Sequence, residues 1–330
     1  MTREGSGEVE QRWLVTGGAG YIGAHTVRAL RARGDDVVVL DDLTSGLAER
    51  VDDDVPLVRA TVLDTDAVAG AITGHRLDGV MHFAARKSVP ESVAHPLWYW
   101  HENIEGLRSV LEAATRTGVD RVVYSSSAAV YGATSGAAVA EDAPCAPVNA
   151  YGSTKLAGEW MLADVHRSTG LRYVALRYFN VAGARDARLA DRGQANLVPI
   201  ALDAVARGAA PAVFGTDYDT PDGSCVRDFV HVDDLADAHV AATALLEEPG
   251  AETLNVGVGR GYSVLEVVAA IARATGRSVE PAVADRRPGD PPAVVADVTR
   301  IRERLGWTAT RDLDDIVTSA LRAREQFGTL

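Results

Sequence analysis

Residues 11–43, QRWLVTGGAGYIGAHTVRALRARGDDVVVLDDL, constrain the possible folds of this chain more than any other stretch. They read as strand, glycine turn, helix, strand. WLVT is a short apolar run, GGAGYIG follows at once, AHTVRALRARG has helical spacing with Gly34 as its stop, and VVVL is the next apolar strand. The glycines at 18, 20 and 23 fit G-x-G-x-x-G, and those at 17, 20 and 23 fit G-x-x-G-x-x-G. Glycine permits a tight turn and lets the backbone approach a pyrophosphate, while the helix that follows offers free N–H groups and the positive end of its dipole. A glycine turn by itself is common. Here a strand precedes it, a helix follows it, and an acid ends the next strand. That acid, Asp41, comes 24 residues after Gly17, near the spacing of about 20 expected of a ribose-binding acid. It would accept a bond from a 2′-hydroxyl and repel a 2′-phosphate, which selects NAD over NADP. The competing reading makes Asp41 and Asp42 a solvated turn.

RLDGVMHFAA (76–85) and RVVYSSSAAVYG (121–132) read as further strands. PLWYWHENIEGLRSVLEAATRTG, between them, reads as one long helix ending near Gly118. Strands alternating with helices predict an α/β fold with a Rossmann-like, doubly wound parallel sheet. Ligands of such sheets bind beyond the carboxyl ends of the strands, where Ser125, Ser126 and Ser127 sit. AYGSTKLAGEW (150–160) places Tyr151 and Lys155 four apart, neighbours on a helix face. The spacing alone does not separate an acid–base pair from an aromatic and a basic residue sharing a face.

The length, 330 residues, suggests two domains or one large one at about 150 residues per domain. No apolar run approaches the ~20 residues of a membrane span. The polar start reads as a leader over residues 1–10 without the apolar centre of a signal peptide, and the protein as cytosolic. Cys145 and Cys225 lie far apart and read as reduced thiols. The histidines lack metal-ligand spacing, and His82, ending an apolar run, reads as packed; no metal is expected. The net charge of −13 argues against non-specific nucleic-acid binding, so an anionic substrate needs local arginines.

TGGAGYIG, HFAA, SSSAAVYG and YGSTK, in that order, make the chain resemble the extended short-chain dehydrogenase/reductase family. Within it the chain looks most like the UDP-glucose 4-epimerases, from residue 12 to about 320, through HFAARKSVPESV, LRYFNVAGA, VFGTDYDTPDGSCVRDFVHVDDLADAHV, LNVGVGRGYSVLEVV and RRPGDPPAVVAD. The resemblance implies tightly bound NAD and a 4-keto sugar intermediate. Tyr151 is then the base, Lys155 the group that lowers the phenol pKa and orients the nicotinamide ribose, and Ser127 the holder of the sugar oxygen. Lowering a phenol from ~10 toward neutrality takes roughly 4 kcal/mol of phenolate stabilisation. Sugar-nucleotide 4,6-dehydratases carry an Asp–Glu pair where this chain has Ala128 and Ala129, so dehydration lacks its acid and base. A 6-dehydrogenase needs a nucleophilic cysteine, and neither cysteine falls in such a motif.

The resemblance also implies ligand contacts. On the cofactor side they are Gly17, Gly20, Tyr21, Ile22 and Gly23, then Asp41 and Asp42, then Val62, Phe83, Ala84 and Lys87. Asn103, Ser125, Tyr151, Lys155 and Tyr178 complete that set. On the substrate side, Lys87, Ser127, Tyr151 and Asn180 lie near the sugar and phosphates, and Asn196 and Leu197 open a substrate-side helix. Ala212 and Phe214 form a uracil platform, Arg227 and Arg287 clamp the diphosphate, and Asp290 bonds the uridine ribose. Val294 stands where a large tyrosine narrows the sugar pocket in some epimerases; valine leaves room for an acetamido group, so UDP-GlcNAc and UDP-GalNAc join UDP-glucose and UDP-galactose as expected substrates. Thr61 stands where the family usually has an adenine-binding acid, with Asp64 three residues on. The same machinery would serve a 4-epimerase of UDP-pentoses or UDP-uronates, and a non-catalytic NAD-binding scaffold is the reading from another class. A homodimer paired through 98–117 and 151–169 is implied. Residues 11–180 with about 229–257 are expected to form the NAD domain, and 181–228 with 258–330 a smaller mixed α/β domain for the UDP-sugar.

Overall fold

Short valine-rich runs separated by glycine-stopped helices fold as a parallel sheet covered on both faces. In the computed structural model, residues 11–134, 138–193, 196–287 and 289–326 are described; the expected leader, 1–10, lies outside them. The strands are β1 Arg12–Thr16, β2 Asp36–Leu40, β3 Leu57–Val58, β4 Gly79–His82, β5 Arg121–Ser125, β6 Arg172–Tyr178, β7 Asn180–Ala182, β8 Ala212–Phe214, β9 Val226–His231, β10 Ala251–Val256, β11 Gly261–Ser263, β12 Ala282–Ala284 and β13 Ala293–Val294. The helices are α1 Tyr21–Arg33, α2 Thr65–His75, α3 Val89–Ala94, α4 Pro96–Trp100, α5 Gly106–Thr117, α6 Ala150–Thr169, α7 Leu197–Ala206, α8 Val232–Ala242, α9 Val264–Thr275, α10 Thr299–Leu305 and α11 Leu313–Glu325.

The main sheet has seven parallel strands in the order β10-β6-β5-β4-β1-β2-β3. The chain builds outward from β1 to β3, then returns to lay β4 on the other side of β1. That reversal opens a crevice at the carboxyl ends of β1 and β4. The central strands are buried on both faces, as their unbroken apolar runs require. Each fully buried valine or leucine contributes about 1.5–3 kcal/mol. Glycine in the left-handed region closes α1 at Gly34, α5 at Gly118 and α6 at Gly170. The side chain of Asn149 accepts from Gly152 N and so sets where α6 begins.

The segment 96–118 departs from the single helix expected of it. α4 and α5 are joined by a π-helical turn, His101–Glu105. The wider turn brings Asn103 into the interior, where it is buried.

In the second part of the molecule, β9 pairs antiparallel with β11 and parallel with β13 and β7, while β8 and β12 form a two-stranded ribbon. α7, α9 and α11 close over a core that includes Val198, Leu202, Phe229, Ile271 and Ile316. α8 packs against α1, and β10 extends the main sheet beside β6. The segment between β7 and α7 is tied to the glycine-turn side. The Tyr21 hydroxyl donates to Gly183 O at 2.6 Å, and Arg50 donates to Ala190 O at 2.7 Å and Ala19 O at 3.5 Å. Arg28 pairs with Asp186, Arg188 with Asp52, and Arg192 with Glu49. Among the described residues no helix is long and apolar enough to cross a membrane. Cys145 and Cys225 carry free thiols.

Candidate active site

The glycine turn leaves β1 into α1 at the crevice. Gly17 has φ 71°, and a Cβ there would lie 2.6 Å from Ala84 N, so a side chain would wedge β1 from β4. A Cβ on Gly23 would lie 2.3 Å from Gly17 O. Among the described residues no side chain caps the first turn of α1, and no acid stands in it. Its N–H groups therefore face the crevice with a dipole suited to an anion. Asp41 is buried, accepting from Ala19 N at 3.0 Å and Leu43 N at 2.9 Å, and burial raises its pKa. Each carboxylate oxygen keeps a lone pair for a hydroxyl. The solvated-turn reading thus fits only Asp42, which is exposed and accepts from Thr44 N. This cradle fits the two phosphates and a ribose of a dinucleotide.

Around it stand the ends of the neighbouring strands. Val62 follows β3 and touches the position of Gly106, Phe83 lies 4.7 Å from the His239 ring, and the Lys87 ammonium lies 5.8 Å over the Tyr21 ring. Asn103 is occupied: its oxygen accepts from Arg86 N at 2.7 Å, and its amide donates to Arg86 O at 3.1 Å and to Thr154 Oγ1 at 2.9 Å. The amide therefore locks the loop that carries Lys87 onto α6. Asp64 is spent as the N-cap of α2, accepting from Asp66 N and Ala67 N. His82 is packed, bonded through Nδ1 to Thr16 Oγ1 at 2.8 Å and stacked on Tyr124.

Each serine after β5 has a separate partner. The Ser125 carbonyl accepts from Lys155 Nζ at 2.7 Å, and its hydroxyl meets the Tyr178 hydroxyl at 2.7 Å. Ser126 Oγ donates to Glu159 at 2.5 Å. The Ser127 hydroxyl lies beside the Tyr151 phenol and accepts from Ala129 N at 3.2 Å. Lys155 Nζ is 6.0 Å from the Tyr151 ring centre. Burial dominates the electrostatics of both groups. Burial raises the Tyr151 pKa and the Ser127 hydroxyl lowers it. Lys155 itself is brought down to about 7 by burial, against the pull of Glu159. Desolvation disfavours the charged form of both groups.

The substrate-side residues gather in the second part. Asn180 lies in β7, opposite Phe229 of β9. Asn196 precedes α7, with its amide bonded to Asp191 at 2.5 Å, and Leu197 begins the helix. In β8, Ala212 is exposed and Phe214 carries the Arg287 guanidinium 3.8 Å from its ring centre. Arg227 donates to Asp290 at 2.5 Å and to Val226 O at 2.8 Å. Val294 is the register partner of Arg227 and packs on the cluster of Val130, Leu156 and Phe179, which Ala128 also touches. Arg227, Asp290 and Val294 are thus brought together, and Arg287 with Phe214. A cavity of about 450 Å³ between the 182–193 segment and the flanks of α7 and α11 shares no residue with these sets.

The buried pair of Glu159 and Arg177 escaped the reading of the motifs. Its sequence signal was an arginine inside the apolar run YVALRYF, since a buried charge needs a partner. A second signal was compositional: of 33 basic residues only two are lysines, Lys87 and Lys155, both at this site.

The model of the NAD dependent epimerase/dehydratase family matches residues 13–257. The UDP-glucose 4-epimerase of Azospirillum brasilense is 49% identical over 318 residues, which cover 94% of this chain and 91% of the relative. The crystal structure of UDP-glucose 4-epimerase from Stenotrophomonas maltophila with bound NAD and formylated UDP-arabinopyranose superposes with a TM-score of 0.92 at 39% identity, covering 97% of this chain and 99% of that one. That of the UDP-glucose 4-epimerase from Brucella ovis in complex with NAD gives 0.91 at 42% identity, covering 96% and 98%.

Proposed function

The chain belongs to the NAD dependent epimerase/dehydratase family, and on that footing we propose that it is a UDP-glucose 4-epimerase, interconverting UDP-glucose and UDP-galactose at sugar C4. When bound, NAD would supply the acceptor and donor of the C4 hydride and, when oxidised, a positive charge that favours the phenolate. The N–H groups after Gly20, with Tyr21, Ile22 and Gly23, would hold its phosphates, Asp41 a ribose, and Lys155 the nicotinamide ribose. Tyr151 takes the 4-hydroxyl proton and later returns it, with Ser127 holding the same oxygen. Lys155 stabilises the phenolate against the burial that opposes it. Asn180, Arg227 and Arg287 anchor the diphosphate, Asp290 the uridine, and Ala212 with Phe214 the base. The anchor lies away from C4, so the tethered 4-keto sugar can turn and present its other face. In this division 11–180 with 229–257 serves NAD, and 181–228 with 258–330 serves the UDP-sugar. The free thiols fit a cytosolic protein.

The observation that carries this reading is the arrangement of Tyr151 and Lys155 on α6 with Ser127 just past β5, in the same parallel sheet whose β1 ends in the glycine turn, with Ala128 and Ala129 in place of dehydratase acids. Product analysis over a panel of UDP-sugars, without added NAD, tests it. UDP-galactose should form from UDP-glucose; no 4-epimer from any sugar would sink the proposal.

Acceptance of UDP-GlcNAc rests on Val294, whose small side chain packs on the cluster that Ala128 touches and whose backbone is in register with Arg227. Val294→Tyr should cut turnover of the acetamido sugar and spare UDP-glucose. A rate with UDP-GlcNAc thousands of times below that with UDP-glucose would rule the extension out. A homodimer is favoured by the apolar face of α3, α4 and α6, where Val93, Leu97 and Trp160 are 66%, 82% and 63% exposed. Sedimentation equilibrium at micromolar concentration should give twice the chain mass.

A further inference from the structure

Beneath the acid–base pair lies a buried charge cluster that no step above uses. Tyr151, Lys155 and Glu159 stand four residues apart on α6, all buried and on one stripe. Three donors converge on the Glu159 carboxylate: Ser126 Oγ at 2.5 Å, Arg177 Nε at 2.9 Å and Arg177 Nη2 at 2.6 Å. The remaining Arg177 nitrogen, Nη1, donates to the Tyr131 hydroxyl and the Glu141 carbonyl, both at 3.0 Å. Desolvating two charges offsets most of their attraction, so stability alone accounts poorly for such a pair.

Ser126 is the middle of a run whose outer members serve the site. Ser125 O accepts from Lys155, and Ser127 carries the hydroxyl beside Tyr151. Ser126 N donates to Leu176 O at 2.9 Å, so the run is pinned by β6 through its backbone and by Glu159 through its side chain. Resting on the epimerase reading, we propose that Glu159 is a positioning residue of the reaction: bound to Ser126 and Arg177, it holds the Ser125–Ser127 run against α6 and sets a carboxylate one helical turn from Lys155.

Among the described residues few groups face Lys155 directly; behind them, on β6, the Tyr178 hydroxyl meets that of Ser125 and the Arg177 cation pairs with Glu159. Tyr151 and Glu159 come from its own helix, the Ser125 carbonyl and the Tyr124 ring (5.1 Å away) from β5, and His82 from β4. Burial and the Lys155 charge hold His82 at about 3, hence neutral. Glu159 is the acid among these groups, and it opposes the burial that lowers Lys155 to about 7. Without it the ammonium loses its proton more easily.

With two lysines in the chain, isotope-labelled lysine gives the holoenzyme one side-chain signal for Lys155 and one for Lys87. In Glu159→Gln, which keeps an acceptor for Ser126, Lys155 should titrate lower by roughly one pH unit. The alkaline limb of kcat with UDP-glucose should move down with it, KM staying near wild type. Because Gln leaves Arg177 unpaired, Glu159→Gln with Arg177→Gln is made in parallel. It should recover the unfolding temperature but not the limb. Ser126→Ala, which keeps the ion pair, should lower kcat several-fold at unchanged unfolding temperature. An unchanged Lys155 titration in either Glu159 variant, or a wild-type kcat in Ser126→Ala, overturns the proposal. Failure of the wild type to make any 4-epimer would overturn the functional reading instead, and the Lys155 titration would still decide the role of Glu159.

Discussion

Tyr151 must give up and recover a proton at a place where burial holds that proton tightly. Removing the phenol oxygen removes the proton carrier proposed for C4 and little else, because the ring stays packed. Tyr151→Phe should therefore lower kcat by about 10²–10⁴, with bound NAD and unfolding temperature nearly unchanged. A wild-type rate would discard the mechanism. Motif spacing exposed Tyr151 and Lys155, and the resemblance added Ser127. The balance of their charges was not legible, since it depends on burial. Glu159 meets Arg177 from 18 positions away, and local periodicity does not report such pairs. The intramolecular bonds of Asn103 and Asp64 were not legible for a related reason: an amide or carboxylate is engaged by backbone groups that only the fold brings to it.

Among elements, the first strand–turn–helix was the most legible, since glycine spacing, helical period and the terminal acid all agree on one unit. Its tolerance is correspondingly low. In Gly23→Ala the added carbon meets Gly17 O at 2.3 Å, so α1 must back away from the turn. The variant should lose its bound cofactor on gel filtration and unfold several degrees lower; full retention of NAD would show that the turn has slack. The π-helical turn at His101–Glu105 was not legible. Its residues have ordinary helical character, and the extra residue is selected by what Asn103 bonds across the fold.

Over the whole molecule, acid should be a weakness. His25, His82 and His239 are buried and held at about 4, 3 and 4, chiefly by desolvation. Unfolded, they titrate near 6.5. Stability is then complete above pH ~6.5 and is lost as pH falls toward 4, because the unfolded chain binds these protons first. Three such protons give a slope of up to about 4 kcal/mol per pH unit. Asp41 and Asp228, raised by burial, act in the opposite sense and soften it. Urea titrations between pH 7 and pH 5 should show a falling midpoint; a flat one would mean the histidines charge in place. The segment between β7 and α7 has a consequence of its own. It lies between Asn180 of β7 and Asn196 ahead of α7, and Tyr21 and Arg50 grip its described residues Gly183 and Ala190 from the glycine-turn side. A ligand that stiffens one end of that strap stiffens the seat of the other, and such linkage is reciprocal. Saturating UDP, the anchoring half of the substrate, should then slow the escape of NAD from the denaturant-stressed enzyme, so that a bound nucleotide guards the cofactor between turnovers.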